Sequence, residues 1–205
     1  MRSKEIVPPS PEQVLKVVSD AAHVNPDLPV YFRLLAATGM RRGESVALRW
    51  EDFTGDTVFV RRNVVEDGRE LVIKDTKTND KGRRRISIDA DTMREVNSLR
   101  ERQTARAAEQ HLPAPEWVFS HDLGSTQWRP EYVTRAFTRL VNGYRLHDLR
   151  HFHATQLLAA GTPITLVSRR LGHSSVVVTL NVYGHWLPQQ DRQAASTIAG
   201  VLAST

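Results

Sequence analysis

The sequence predicts an α+β fold, mainly helical, with a small three-stranded antiparallel sheet on one edge. Three observations lead there. Segments bounded by helix start and stop signals fill both ends of the chain. One stretch, Thr57 to Ile88, instead carries β-branched and alternating residues. Tight-turn sequences divide that stretch into three.

Taken in order, Ser10-Pro11-Glu12-Gln13 reads as a capping box with Ser at the N-cap, Pro at N1 and Gln at N3, so a helix is expected from Pro11 to about Ala22. Pro29 to Ala37 is a second apolar helix closed by Thr38-Gly39, and Gly43 to about Leu48 carries a third, short helical pattern. Arg41 and Arg42 therefore fall at a helix junction. Thr57 to Arg61, Glu70 to Asp75 and Arg83 to Ile88, separated by Asp67-Gly68 and by Asn79-Asp80-Lys81-Gly82, predict a three-stranded meander. Asp89 to about Glu109 returns to helix, with a solvated face at Arg102 to Arg106. A looser stretch with Pro113, Pro115, Gly124 and Ser125 leads into a helix from Pro130 to near Gly143. The last third is helical: Leu146 to Ala160, Pro163 to Leu171, Ser174 to Tyr183 and Gln189 to Leu202, with Gly161 and Gly172 as stops. Val176-Val177-Val178-Thr179 has strand propensity, while a Ser N-cap and the brevity of the segment leave helix open.

At 205 residues and 40% hydrophobic, the chain is expected to form one domain around one good core. A formal charge of +5 suits a polyanionic partner, although many ordinary proteins are as basic. The lack of cysteine excludes a disulfide framework, a thiolate nucleophile and a Cys-ligated metal or cluster. No apolar run approaches the roughly 18 residues that span a bilayer, and Met1 to Glu5 lacks the apolar stretch of a signal peptide. A cytoplasmic location, no membrane partner and no cofactor are expected.

Four clusters could carry chemistry. In His147-Asp148-Leu149-Arg150-His151, positions i, i+3 and i+4 bring His147, Arg150 and His151 to one face at a helix start, a plausible phosphate site or simply a solvated basic face. In Thr38-Gly39-Met40-Arg41-Arg42-Gly43-Glu44, Glu44 could hold the Arg41 guanidinium by a paired hydrogen bond, or the two could form an inconsequential surface pair. Lys74-Asp75-Thr76-Lys77-Thr78 followed by Arg83-Arg84-Arg85 suits a DNA-backbone or groove contact, or a charged edge strand that resists aggregation. Last come Leu171-Gly172-His173-Ser174-Ser175 and, ten residues after His173, Tyr183 within Asn181 to His185.

Taken together, Arg41, Lys77, His147, Arg150, His173 and Tyr183 resemble, in order and spacing, the catalytic set of the tyrosine recombinases of the phage-integrase type. Thr38 to Trp50 looks like the family's first box. Thr76-Lys77-Thr78 resembles the hairpin that carries its lysine, His147 to His151 its His-x-x-Arg box, and the His173 and Tyr183 segments its last two. The resemblance implies the tyrosine-recombinase catalytic fold from about Ser10 to the end. The family's N-terminal core-binding and arm-binding domains are expected to be absent from residues 1–205.

The residue types suit phosphoryl transfer. Arg41 and Arg150 would clamp the non-bridging oxygens of a phosphodiester, work that other enzymes give to metal ions. Tyr183, as nucleophile, needs a positive field or a base; His147 is the candidate base, Lys77 would protonate the departing 5′ oxygen, and His173 would donate to the phosphate. Glu44 and His151 are supporting residues. Arg42, Lys74, Lys81, Arg83, Arg84 and Arg85 are the DNA-contact candidates, with Lys74 and Lys81 also alternatives to Lys77 as acid. The resemblance implies a 3′-phosphotyrosine intermediate formed without metal or ATP. Its implied partners are double-stranded DNA at attachment or recombination sites, further recombinase protomers in a tetramer, and an accessory directionality factor. Gln189 to Leu202 is the segment expected to dock on a neighbour. Two other readings compete. One is a helix-turn-helix regulator built on Leu146 to Leu171. The other is a metalloenzyme using His147, His151 and His153, for which no third ligand pattern or metalloprotease Glu is evident.

Overall fold

The described residues of the computed structural model are 7–68, 70–75, 82–184 and 191–203, with no side chains described at 191–194 and 197. α1 (Pro11–Asp20) starts where the capping box requires: the Gln13 N–H donates to Ser10 Oγ at 3.3 Å and the Ser10 N–H to Gln13 Oε1 at 2.7 Å. α2 (Leu28–Thr38) is apolar around most of its circumference and stops at Gly39, which takes the left-handed φ of 65°. α3 (Arg42–Val46) follows at once. A Cβ on Gly43 would fall on the Asn63 side chain and the Val64 carbonyl, so this glycine lets α3 lie directly against β3 (Arg62–Asp67).

The sheet region corrects the expected meander. β1 (Phe53–Thr54), β2 (Thr57–Val60) and β5 (Arg84–Ser87) form a three-stranded antiparallel sheet in the order β1-β2-β5. The segment from Glu70, β4 (Glu70–Asp75), does not join it but pairs with β3 in a separate hairpin. Alternation identifies strands, whereas pairing follows side chains that share a buried face: Val58 lies opposite Ile86, and both are buried. Between β2 and β3 the chain turns where Arg61 and Arg62 both bind the buried Asp52 carboxylate, Arg61 Nε at 2.5 Å and Arg62 Nη1 at 2.8 Å.

α4 (Ala90–Glu109) is capped by Asp89, which accepts from the Thr92 N–H at 2.9 Å. α5 (Pro130–Leu140) follows a loop that supplies Phe119 and Trp128 to the core, where Tyr31 meets Phe119 edge-on and Trp128 tilted, and Phe32 meets Tyr31 and Phe137 edge-on. α6 (Asp148–Ala159), α7 (Ile164–Leu171) and α8 (Val176–Tyr183) enclose a second small cluster of Ala154, Leu158, Val167, Leu171 and Tyr183. The valine run of α8 is helical because Ser175 Oγ accepts from the Val177 N–H and because Thr179 and Tyr183, four apart, are its two buried residues. α9 (Asp191–Ala203) ends the described chain.

Of the two helices of the expected helix-turn-helix, α6 has eight of its twelve residues buried, Arg150 and His151 among them, while α7, which would be the groove-entering helix, buries Val167, Ser168 and Leu171. Among the described residues no helix is long and apolar enough to cross a membrane.

Candidate active site

The site assembles at the C-terminal end of α2. Because Gly39 turns left-handed there, its carbonyl is released from the helix and accepts from Arg150 Nη1 at 2.6 Å. A Cβ at residue 39 would approach His153 Cδ2 to 2.7 Å, so α6 passes as close as the chain permits. Arg150 is 3% exposed, and its Nη2 has no hydrogen-bond partner among the described residues. Burial, together with the neighbouring charges of Arg41 and Arg84, brings its pKa down to about 10, which leaves it cationic at neutral pH. A buried guanidinium with an unused donor is a costly arrangement that an anion would relieve.

Arg41 stands at the N-cap of α3 with its side chain 42% exposed. Its Nη1 donates to Glu44 Oε1 at 2.9 Å, its backbone N–H to Glu44 Oε2 at 2.8 Å, and its Nη2 to the Gly172 carbonyl at 3.1 Å. The expected Arg41–Glu44 pair is thus present and fixed at its carboxylate end by burial. Glu44 is held below the usual carboxylate range: burial works against this, but the hydrogen bond and charge of Arg84 and the charge of Arg41 outweigh it.

Tyr183, the last residue of α8, is 2% exposed. Its hydroxyl lies 2.7 Å from His151 Nδ1, and burial pushes the phenol up to about 12, only partly offset by the Arg150 charge. His151 is buried, and desolvation lowers its pKa, so its ring is neutral and can accept the phenolic proton. His147, at the N-cap of α6, stays on the exposed rim with its ring edge-on to His151 at 4.9 Å. It is held down to about 4 by desolvation where the ring meets the protein, then by the charges of His151 and Arg150. His173, immediately after the left-handed Gly172, places Nδ1 2.8 Å from the buried Thr179 hydroxyl; desolvation and the Arg150 and Arg41 charges hold it near 4.

Five of the six expected catalytic residues therefore meet in one region, and Lys77 lies outside the described residues, as does Lys81. Lys74 is exposed on β4. Arg42 reaches Thr134 at 2.8 Å from an exposed position. Arg83 and Arg85 are exposed and, with Arg169, Ser168 and His173, line a cleft of about 590 Å³. Arg84 lines the same cleft but departs from its neighbours in burial: strand alternation turns it inward, 6% exposed, and it pairs with Glu44. The expectation of a solvated basic face on α6 is likewise corrected, since Arg150 and His151 are buried and only His147 is open.

His153, one candidate metal ligand, is spoken for at both nitrogens. Nδ1 must donate to the Ala36 carbonyl at 2.9 Å, which leaves Nε2 to accept from Arg170 Nε at 3.1 Å. Burial first and then the Arg170 charge hold its pKa near 4, against 6.5 for an unburied ring. A folded value below the unfolded one means that its contribution is fully present above about pH 6.5 and is lost as pH falls through 4. Urea denaturation between pH 7 and 4 is expected to show this loss, and His153→Gln should remove its share while leaving that of His147 and His173, which are depressed in the same direction. A wild-type stability that is level over that range would contradict the assignment.

A model of the Phage integrase family matches residues 11–190. The chain belongs to the phage integrase family. Among curated relatives, this integrase-family chain is 29% identical over 195 residues to the tyrosine recombinase XerC-like protein of Caldanaerobacter subterraneus subsp. tengcongensis, which covers 83% of this chain and 49% of that protein. It spans about half the length of the curated relatives it matches. Its fold is similar to that of the Tn1549 transposon integrase in complex with circular intermediate DNA, with TM-score 0.71 and 16% identity over 98% of this chain and 68% of that one. It is also similar to the catalytic domain of bacteriophage HP1 integrase, with TM-score 0.62 and 20% identity over 94% and 95% of the two chains. These two likenesses concern the fold. Sequence reading of the integrase site named His151 only as a supporting residue and grouped Arg84 with the DNA-contact candidates; alternation with the buried Ile86 and Ile88 is the signal that puts Arg84 on the inward face of its strand.

Proposed function

We propose that this chain is the catalytic domain of a site-specific DNA recombinase that cleaves and rejoins strands through a 3′-phosphotyrosine. The observation that carries the reading is the buried Arg150, whose Nη2 donor is unused, beside Arg41 and within electrostatic reach of the Tyr183 phenol. A phosphodiester supplies the anion such a pair needs, and two guanidiniums stabilise the charge that grows as phosphorus becomes five-coordinate.

In the reaction a bond forms between Tyr183 Oη and phosphorus, and the bond to the 5′ oxygen breaks. The hydrogen bond of Tyr183 to His151 supports His151, rather than His147, as the first acceptor of the phenolic proton. Lys77 is proposed to protonate the leaving 5′ oxygen, and His173 to donate to a non-bridging oxygen. Attack by a 5′ hydroxyl reverses each step, so ester energy is conserved and ATP is not needed. Double-stranded DNA is the proposed substrate, with Arg42, Lys74, Lys81, Arg83 and Arg85 as backbone contacts. Assembly into a tetramer on DNA is proposed through α9, which leaves Ile198, Val201 and Leu202, spaced i, i+3 and i+4, exposed on one face.

The test is to incubate the protein in chelator with a library of nicked duplexes that trap cleaved strands, with Tyr183→Phe alongside. A covalent protein–DNA adduct from the parent alone is the expected result. An adduct that persists in Tyr183→Phe removes Tyr183 as nucleophile, and cleavage strictly dependent on magnesium defeats the metal-free reading.

A further inference from the structure

Among Arg83, Arg84 and Arg85, Arg84 is the side chain that the fold takes inside. Its Nη1 and Nη2 donate to the two oxygens of Glu44 at 3.1 and 2.7 Å, and its Nε donates to the Arg170 carbonyl at 2.7 Å. Its guanidinium packs against Gly172, where a Cβ would come within 2.6 Å of Nη1. Glu44 is the same carboxylate that binds Arg41, and Gly172 supplies the carbonyl that Arg41 Nη2 reaches. His173 is the next residue along. One side chain thus touches the segments that carry Arg41 and His173, from the first residue of β5.

We propose that Arg84 is a positioning residue that fixes the Glu44 carboxylate and the turn at Arg170 to Gly172, and through them sets the Arg41 guanidinium and the His173 ring against the scissile phosphate. Both oxygens of Glu44 accept from the Arg84 guanidinium, and Oε1 also accepts from the Arg41 guanidinium while Oε2 accepts from the Arg41 N–H. Without Arg84 the carboxylate is free to collapse onto Arg41 alone, which neutralises it and draws it away from the phosphate. A planar fork is needed, because four acceptors, two on Glu44 and the carbonyls of Arg170 and Gly82, lie around one group; a lysine carries the charge but cannot span them.

The catalytic part of the test rests on the proposed strand cleavage, so it is paired with a readout that does not. Arg84→Lys and Arg84→Met are compared with the parent for affinity to inorganic phosphate by titration calorimetry. They are also compared for cleavage of a nicked duplex with either an ordinary phosphate or an uncharged methylphosphonate at the scissile position. Both variants are expected to bind phosphate more weakly and to cleave the ordinary duplex roughly 10²-fold more slowly, as for a displaced catalytic group. The deficit should shrink on the methylphosphonate, where there is less negative charge for Arg41 to meet, and the salt dependence of DNA affinity should be unchanged. The double variant Arg84→Met with Glu44→Gln, which leaves no buried charge behind, should be no worse than Arg84→Met, and it serves if the single variants do not fold.

A folded Arg84→Lys that binds phosphate like the parent overturns the proposal. So does an equal deficit on both duplexes, the mark of a general structural fault, or a salt slope lowered by about one unit, the mark of a direct phosphate contact. If the parent cleaves no duplex, the functional reading fails and the phosphate affinities alone decide the role of Arg84.

Discussion

Replacing Arg150 with methionine is expected to slow strand cleavage by roughly 10³-fold or more while leaving the protein as stable as the parent. The two halves of that result have one cause. Arg150 is charged, buried, short of a partner at Nη2, and flanked by Arg41 and Arg84. Its folded environment is unfavourable to it until an anion arrives, so its removal relieves repulsion, which offsets the broken bond to the Gly39 carbonyl, worth about 1.5–3 kcal/mol for a charged donor. Methionine fills a similar volume without a charge. Thermal unfolding with and without inorganic phosphate, beside single-turnover cleavage, measures both effects. Phosphate should raise the parent's Tm and leave the variant's unchanged. A variant that unfolds well below the parent would make Arg150 a structural tie between α6 and α2. Cleavage within tenfold of the parent would remove it from the reaction.

Glu44→Ala should have the largest effect on stability, a loss of about 3–5 kcal/mol in urea denaturation. Glu44 is 2% exposed and Arg84 6%, and they are joined by two hydrogen bonds. Removing the carboxylate leaves the Arg84 guanidinium in the core with only carbonyl partners, at Arg170 and Gly82. The loss therefore reflects an uncompensated charge more than the worth of the pair, and removing both charges, by Arg84→Met with Glu44→Leu, should recover much of it. A loss below about 1 kcal/mol for Glu44→Ala would mean that solvent reaches Arg84. The variant should also cleave more slowly, because Arg41 loses the carboxylate that holds both its backbone and its side chain.

By itself the sequence determined what depends on near neighbours. The capping box at Ser10, the stop at Gly39 and the succession of α-helices are local properties, and among the described residues they stand as expected. The Arg41–Glu44 pair was legible for the same reason, being three residues apart on one turn. Tertiary structure alone decided what depends on distant partners. Alternation marked Glu70 to Asp75 as a strand but held no record of its pairing with Arg62 to Asp67, a strand that the sequence reading did not separate. Arg83, Arg84 and Arg85 carry the same side chain; alternation with Ile86 and Ile88 marks Arg84 as the inward one, but only the tertiary position of Glu44 gives its buried charge a partner. The choice of His151 over His147 as the partner of Tyr183 has the same origin. Two imidazoles one helical turn apart are equivalent until α8 packs on α6 and brings the phenol to one of them, 32 residues away along the chain.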